Sequence, residues 1–389
     1  MRDDFDPLAP ETFDSPHEDY RRLRKECPVA HSSAWGGFWA YMKHADVCAA
    51  ASDSSTYITS KQNVIPKVAF TGRRPPLHLD PPEHTPYRRA LAPLLTEKKV
   101  ARLEPVIASL CDELLEKMIA KGGGDLCAEY SAHVPIVTFS HWMNLPADQI
   151  AELAETGRTY NIAVQSNDME TTKQSSLKLY DMARALLKAR KEAPLDPALD
   201  ATTALLEARY EGEPLPEDLI VGTIRQVLVV GIIAPTVTFG AVGVHLARDR
   251  ALQTKLREQP DLIPEAIEEF LRLYTPYRGF ARTATEDVCK YGRTIKAGEP
   301  IALVYASANR DEEVFEAPDE FRLGRENMKD SLAFGRGVHS CVGAPLARLQ
   351  MKVALERLLA KTKGFSLAGE PVQTRFPEIG ALKAPLAFE

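Results

Sequence analysis

The chain of 389 residues has no Ser/Gly-rich or Pro-rich tract, no internal repeat and no low-complexity run. Length alone argues for two or three domains, because single cores rarely grow past about 250–300 residues. With no linker to mark a boundary, one continuous domain over residues 1–389 is the expectation. The short run Gly122-Gly123-Gly124 is read as a turn between helices. The six cysteines (Cys27, Cys48, Cys111, Cys127, Cys289 and Cys341) lack C-x-x-C spacing, so neither a zinc cluster nor a disulfide framework is indicated. The acidic start, Met1-Arg2-Asp3-Asp4-Phe5-Asp6, lacks the apolar core of a secretion signal and any membrane anchor, so the cytoplasm is the expected compartment. The formal net charge of −6 gives no positive excess, which argues against general affinity for nucleic acid or anionic lipid.

Charge is also missing from Val227 to Val244, a stretch about as long as a membrane-spanning helix. Gly231, Pro235, Thr236, Thr238, Gly240 and Gly243 dilute its hydrophobicity, and Arg225, His245 and Arg248 close it at both ends. A helix buried through the middle of a large helical protein is the better reading, and no membrane partner is expected. Helical periodicity covers Pro16–Cys27, Pro86–Ala92, Lys98–Lys121, Asp148–Asn161, Thr171–Lys191, Pro216–Arg248 and Pro264–Leu273, with an amphipathic stretch over Ala344–Leu359. Strand-like alternation is confined to Trp35–Met42, Ile295–Ser307 and the region of Lys383–Phe388. The fold class is therefore mainly α with small β-sheets (α+β).

What the chain does have is a glycine-studded loop, Phe334-Gly335-Arg336-Gly337-Val338-His339-Ser340-Cys341-Val342-Gly343, running into the Ala344–Leu359 stretch. Glycines let backbone N–H groups close around a sulfur, and hydrogen bonds to a thiolate tune it as a ligand. An isolated cysteine in a Gly-rich turn would be read as structural. Here Phe, three Gly, His and Cys stand at fixed offsets, and the segment resembles the heme-ligand loop of the cytochrome P450 family. Three further segments resemble that family in the right order. Glu269-Phe270-Leu271-Arg272 matches its E-x-x-R pair, with Arg325 in the third place of a structural triad. His84 and Arg88 in Asp80–Arg89 match a heme-propionate pair, with Arg282 and His339 as remaining propionate partners. Ser307-Ala308-Asn309-Arg310-Asp311 with Phe315 matches the connection from strand to meander. Apart from the family, His84 and Arg88 read as a solvated helix face.

The resemblance implies a heme b cofactor between a long distal helix and a proximal Cys-loop, with Cys341 as axial ligand of the iron and Phe334 and Gly335 beside it. It implies a soluble monooxygenase that hydroxylates or dealkylates a small organic substrate. Electrons would come from a separate ferredoxin-type donor and its reductase, since no flavin or iron–sulfur module follows the heme segment. By position, the pocket is lined by Val230, Ile233 and Ala234 and by the turn Arg278-Gly279-Phe280, roofed by residues 51–79 and covered by a lid over Thr159–Gln174. Arg278 is read as a carboxylate anchor, a propionate partner or a solvated side chain. Arg88, Arg89, Arg336, Arg348 and Lys352 are candidates for docking an acidic donor.

One departure stands out. Counting back from Arg248-Asp249-Arg250 puts Ile233 and Ala234 where the family usually carries an acid and an alcohol that relay protons during O–O cleavage. Neither side chain can carry a proton. Pro235 follows, which lacks an N–H and should kink the helix. A small helix shift would instead bring Thr236 to the alcohol's place. The segment Ala234-Pro235-Thr236 thus leaves open peroxide-driven turnover, oxidative coupling and nitric oxide reduction. The proline is shared with members that dealkylate compact aromatic ethers, a hint toward aromatic substrates.

Overall fold

The computed structural model describes residues 3–10, 16–67, 71–166 and 168–389. Twelve helices carry the argument: α1 His17–Glu26, α2 His44–Ser52, α3 Thr85–Leu91, α4 Glu104–Ala120, α5 His133–Trp142, α6 Ala147–Gln165, α7 Met169–Glu192, α8 Ala201–Glu207, α9 Glu217–Arg248, α10 Arg250–Glu258, α11 Ile263–Leu273 and α12 Ala344–Lys361. Strands β1 Val29–Ser32, β2 Phe38–Tyr41, β3 Tyr57–Ile58, β4 Phe280–Ala284 and β5 Pro300–Leu303 form one sheet in the order β1-β2-β5-β4-β3. Helices with small sheets are thus the observed architecture.

The 32-residue α9 is the axis of the molecule and packs against α5, α6, α7 and α12. Its composition explains its place: apolar on almost every side, it can satisfy its surface only inside a core. The uncharged stretch is a core helix, most of it buried. The α-helix is continuous through Pro235. The missing N–H there deprives the Gly231 carbonyl of its usual donor.

The five-stranded sheet is buried on both faces, so its strands read as near-continuous apolar runs. Phe38, Ala40 and Ala302 face one apolar cluster, while Trp39, Tyr41, Ile301 and Leu303 face another. The expected strand over Ile295–Ser307 is shorter. It is β5, followed by a single helical turn at Tyr305–Ala308. The expected helix over Lys98–Lys121 is broken by a 3-10 turn at Ala101–Leu103, and α4 restarts with Pro105 in its first turn, where the absent N–H costs nothing. Gly123 and Gly124 are not a helix–helix turn; with Asp125 they form a strand against Pro385–Phe388.

The roof segment 51–79 contributes β3 and a bridge from Val64 to Phe280, while residues 68–70 of it lie outside the described residues. The lid segment Thr159–Gln174 comprises the end of α6 and the start of α7, with Asn167 outside the described residues.

Candidate active site

A helix buried through a core should expose nothing, yet Val230 in the middle of α9 is 43% exposed between buried Val229 and Gly231. Ala234, one helical turn further on, is half-buried on the same face. The helix therefore borders an internal gap along the Val230–Ala234 face. Ile233 is buried beside it. Thr236 lies about 200° round the helix from Ala234. Its hydroxyl lies 2.8 Å from the Ile232 carbonyl and 3.2 Å from the Ser131 carbonyl, both acceptors for its single proton.

The cysteine loop is held by its own backbone. The Cys341 N–H donates to the Phe334 carbonyl at 2.7 Å, and the Gly335 N–H donates to Leu332 at 2.9 Å. Two glycines make the path feasible. Gly335 and Gly337 have φ of 68° and 73°, and a Cβ on Gly337 would sit 2.2 Å from the Ala51 carbonyl oxygen. Cys341 precedes α12, and the N–H groups of Gly343 and Ala344 point at its sulfur. Burial raises the thiol above its ordinary value, opposed by those N–H groups and by Arg88 and Arg348. The residue is nevertheless accessible. Surrounded by protein and yet exposed, the thiol borders an open space.

Four basic side chains gather beside it. The rings of His84 and His339 are 4.7 Å apart, edge to face. Both ring nitrogens of His84 are buried, with the Val338 backbone beside the ring. Burial first, then Arg88, holds His84 at about 4; burial, then Arg282 and His84, holds His339 at about 3. His339 Nε2 is 3.2 Å from Thr59 Oγ1 and 3.9 Å from Asp80. Arg282 is buried and donates to the Ala281 carbonyl, while Arg88 is half-buried. Among the described residues neither guanidinium forms an ion pair.

Behind the loop, Glu269 and Arg272 are fully buried and joined by two bonds of 2.7 Å. Arg325 donates to the same carboxylate at 2.8 Å. Arg272 also donates to the carbonyls of Asn309 and Pro318. Asn309 in turn accepts the Leu332 N–H at 2.7 Å, just ahead of the cysteine loop.

A family model described as cytochrome P450 matches residues 166–382. Cytochrome P450 130 of Mycobacterium tuberculosis is 31% identical over 384 residues, covering 95% of this chain and 93% of that protein. The chain belongs to the cytochrome P450 family. Nocardicin C N-oxygenase of Nocardia uniformis is likewise 31% identical, over 95% of this chain and 94% of its own. The solved structure of CYP109Q5 from Chondromyces apiculatus superposes with a TM-score of 0.89 at 26% identity, over 99% and 98% of the two chains. This P450 is accordingly an oxidoreductase of a heme b family whose bacterial members use redox partners such as ferredoxins.

The residues present fit that cofactor. Heme b presents two carboxylates at one edge and an iron that takes a thiolate. The guanidinium groups of Arg88 and Arg282, with the neutral imidazoles of His84 and His339 beside them, offer charge and N–H donors to carboxylates. Cys341 offers an exposed sulfur within protein surroundings, and Val230 and Ala234 offer an apolar open face on α9. Because a buried charge without its partner is costly, the double variant His84→Ala with Arg282→Ala is expected to purify with substoichiometric heme. Pyridine hemochromogen quantification of the purified protein checks this.

The remaining predicted residues are dispersed. Phe280 starts β4 and packs tilted against Tyr277 with centroids 4.3 Å apart. Gly279 accepts the Ile65 N–H at 2.9 Å, and a Cβ there would strike Pro377. Arg278 is buried with its guanidinium 5.6 Å over the Phe376 ring and beside Tyr20 of α1. Of the proposed docking cations, Arg348 pairs with Glu268, and Lys352 lies 3.9 Å from Glu104; Arg89 and Arg336 are exposed. Sequence reasoning missed a buried group formed by Arg74, His78, Tyr160 and Arg225. Its one visible sign is Arg225, a charge inside α9.

Proposed function

We propose that this P450 is a monooxygenase that hydroxylates or dealkylates a small organic molecule, residues 1–389 forming one heme domain. In this reading Cys341 is the axial ligand, with Phe334 and Gly335 framing it, and His84, Arg88, Arg282 and His339 hold the propionates. What supports it is an exposed thiol within protein surroundings, together with the open Val230–Ala234 face in the middle of a core helix. When bound, heme supplies the oxygen-activating chemistry. The chain supplies an apolar wall at Val230 and Ala234, N–H groups on the sulfur, and cations for the carboxylates. A separate ferredoxin-type donor and its reductase would deliver electrons, with exposed Arg89 and Arg336 as docking charges, and the cytoplasm would be the compartment. Purified protein supplied with a ferredoxin couple, NADPH and a panel of small aromatics tests this. Consumption of reductant without product from any of them counts against it.

With Ile233 and Ala234 read at the acid and alcohol positions, we propose a second competence. Protons must come from ordered water or from the substrate, whereas hydrogen peroxide brings its own. Measurable peroxide-driven turnover of the native protein is therefore expected. Ala234→Thr should change the ratio of product to reductant consumed, while Thr236→Ala should leave it near the native value. Loss of coupling in Thr236→Ala, with no change in Ala234→Thr, would make Thr236 the working alcohol.

A further inference from the structure

Above the open face of α9 lies a charge without a counter-charge. Arg225 is 1% exposed and Arg74 is 6% exposed, and the Nε of each has no hydrogen-bond partner. Among the described residues neither forms an ion pair. What surrounds them is neutral. Arg225 donates to Ser176 Oγ at 2.8 Å, and its guanidinium lies 5.1 Å over the Tyr160 ring and 5.9 Å over the Tyr180 ring. Ser176 is held in turn by Thr71 at 2.7 Å. His78, also buried, has Nε2 without a partner.

Aromatic faces offset part of a buried cation's desolvation. They do not remove the repulsion between two guanidinium groups in a medium of low dielectric. The arrangement is also built rather than incidental. Arg73 and Arg74 press directly on α9 at Gly222, where a Cβ would lie 2.0 Å from the Arg73 carbonyl oxygen. Four segments thus converge: the roof (Arg74, His78), α6 (Tyr160), α7 (Ser176, Tyr180) and α9 (Arg225).

The cluster sits at the N-terminal end of the open row on α9, where Arg225 precedes Gln226 in the chain but projects from the other side of the helix from Ala234, so that its long side chain has to reach round to that row. Gln226, Val230 and Ala234 follow one another at single-turn spacing on α9. Tyr277 lies within electrostatic range of both Tyr160 and Cys341. Nine residues of helix separate Arg225 from Ala234, a rise of about 13 Å. A molecule of two fused rings held at one end by an anion would span most of it.

We propose that Arg74 and Arg225, with Tyr160 and His78, bind the ionised carboxylate of an organic-acid substrate and hold its far end toward the Val230–Ala234 face. This rests on the P450 reading above and narrows its substrate class. A carboxylate supplies the missing negative charge and accepts from the free Nε–H groups in the forked geometry that guanidinium groups prefer. It replaces the role considered for Arg278, which packs on Phe376.

The experiment compares 2-naphthoate with 2-naphthamide, which share shape and differ in charge. Binding is read from the spin-state change of the heme band and, independently, from thermal unfolding. Native protein should bind the acid at least about tenfold more tightly than the amide, as expected for charge-assisted hydrogen bonds at a buried site. In Arg225→Gln and in Arg74→Gln that gap should close to about twofold or less. The acid should raise the melting temperature of the native protein but not of either variant, and the ligand-free variants should melt no lower than native. Equal affinity of native protein for acid and amide would overturn the proposal, as would full stabilisation by acetate alone. The carbon monoxide spectrum of each sample separates this from the heme reading. A normal thiolate band with indifferent acid and amide binding removes only the subsite.

Discussion

Cys341→His is expected to retain heme and to lose the red-shifted band of the ferrous–carbon monoxide complex. Monooxygenase turnover should fall to background in the same protein. Thiolate ligation is the source of that shift and of the electron donation that favours O–O cleavage. Imidazole on the same loop would hold iron without either effect. Among the described residues, Cys341 is the exposed cysteine that lies in protein surroundings ahead of α12. Cys111 and Cys127 are buried in apolar packing, and Cys289 is exposed on a short hairpin. Replacing Cys27, Cys48, Cys111, Cys127 or Cys289 should leave the band intact. Persistence of the band in Cys341→His would move the ligand elsewhere and overturn the reading of the loop.

Glu269→Ala should be more damaging than any change in the cavity. The Glu269 carboxylate accepts from Arg272, Arg325 and the Arg322 N–H, all at 3.0 Å or less. Truncation leaves two buried guanidinium groups without their anion, a loss of about 3–5 kcal/mol against a total stability of about 5–15 kcal/mol. The damage reaches the heme loop through Arg272, Asn309 and Leu332. Insoluble or heme-free protein is the expected product, and Arg272→Ala should behave alike. Soluble Glu269→Ala with full heme content would show that this network does not support the loop.

The two halves of this site were unequally visible in the sequence. The cysteine loop and the Glu269–Arg272 pair are local: their residues lie within one loop or one helical turn, so spacing alone reveals them. The contact of Arg325 with Glu269 is distant, and only the resemblance pointed to it. The Arg74–Arg225 cluster joins four segments far apart in sequence, and no periodicity records such a meeting. Helices were legible where one face is polar, as in α4 and α7. Helix α5 escaped because Val134, Pro135, Ile136, Phe139 and Trp142 are all buried, which erases the alternation of faces. The strand expected over Ile295–Ser307 was overlong because an apolar run does not mark where a strand gives way to a helical turn.

The large sheet also sets a timetable for synthesis. Strand β2 pairs antiparallel with β1, its near neighbour in the chain, and parallel with β5, where Trp39 meets Ile301. At roughly 5–20 residues per second, a ribosome needs on the order of tens of seconds to pass from one to the other. Throughout that interval the apolar Phe38-Trp39-Ala40-Tyr41 edge has no partner on one side. The cysteine loop emerges later still. The nascent chain therefore carries an unpaired strand edge, the feature that invites intermolecular pairing, until the proximal half of the heme pocket is nearly made.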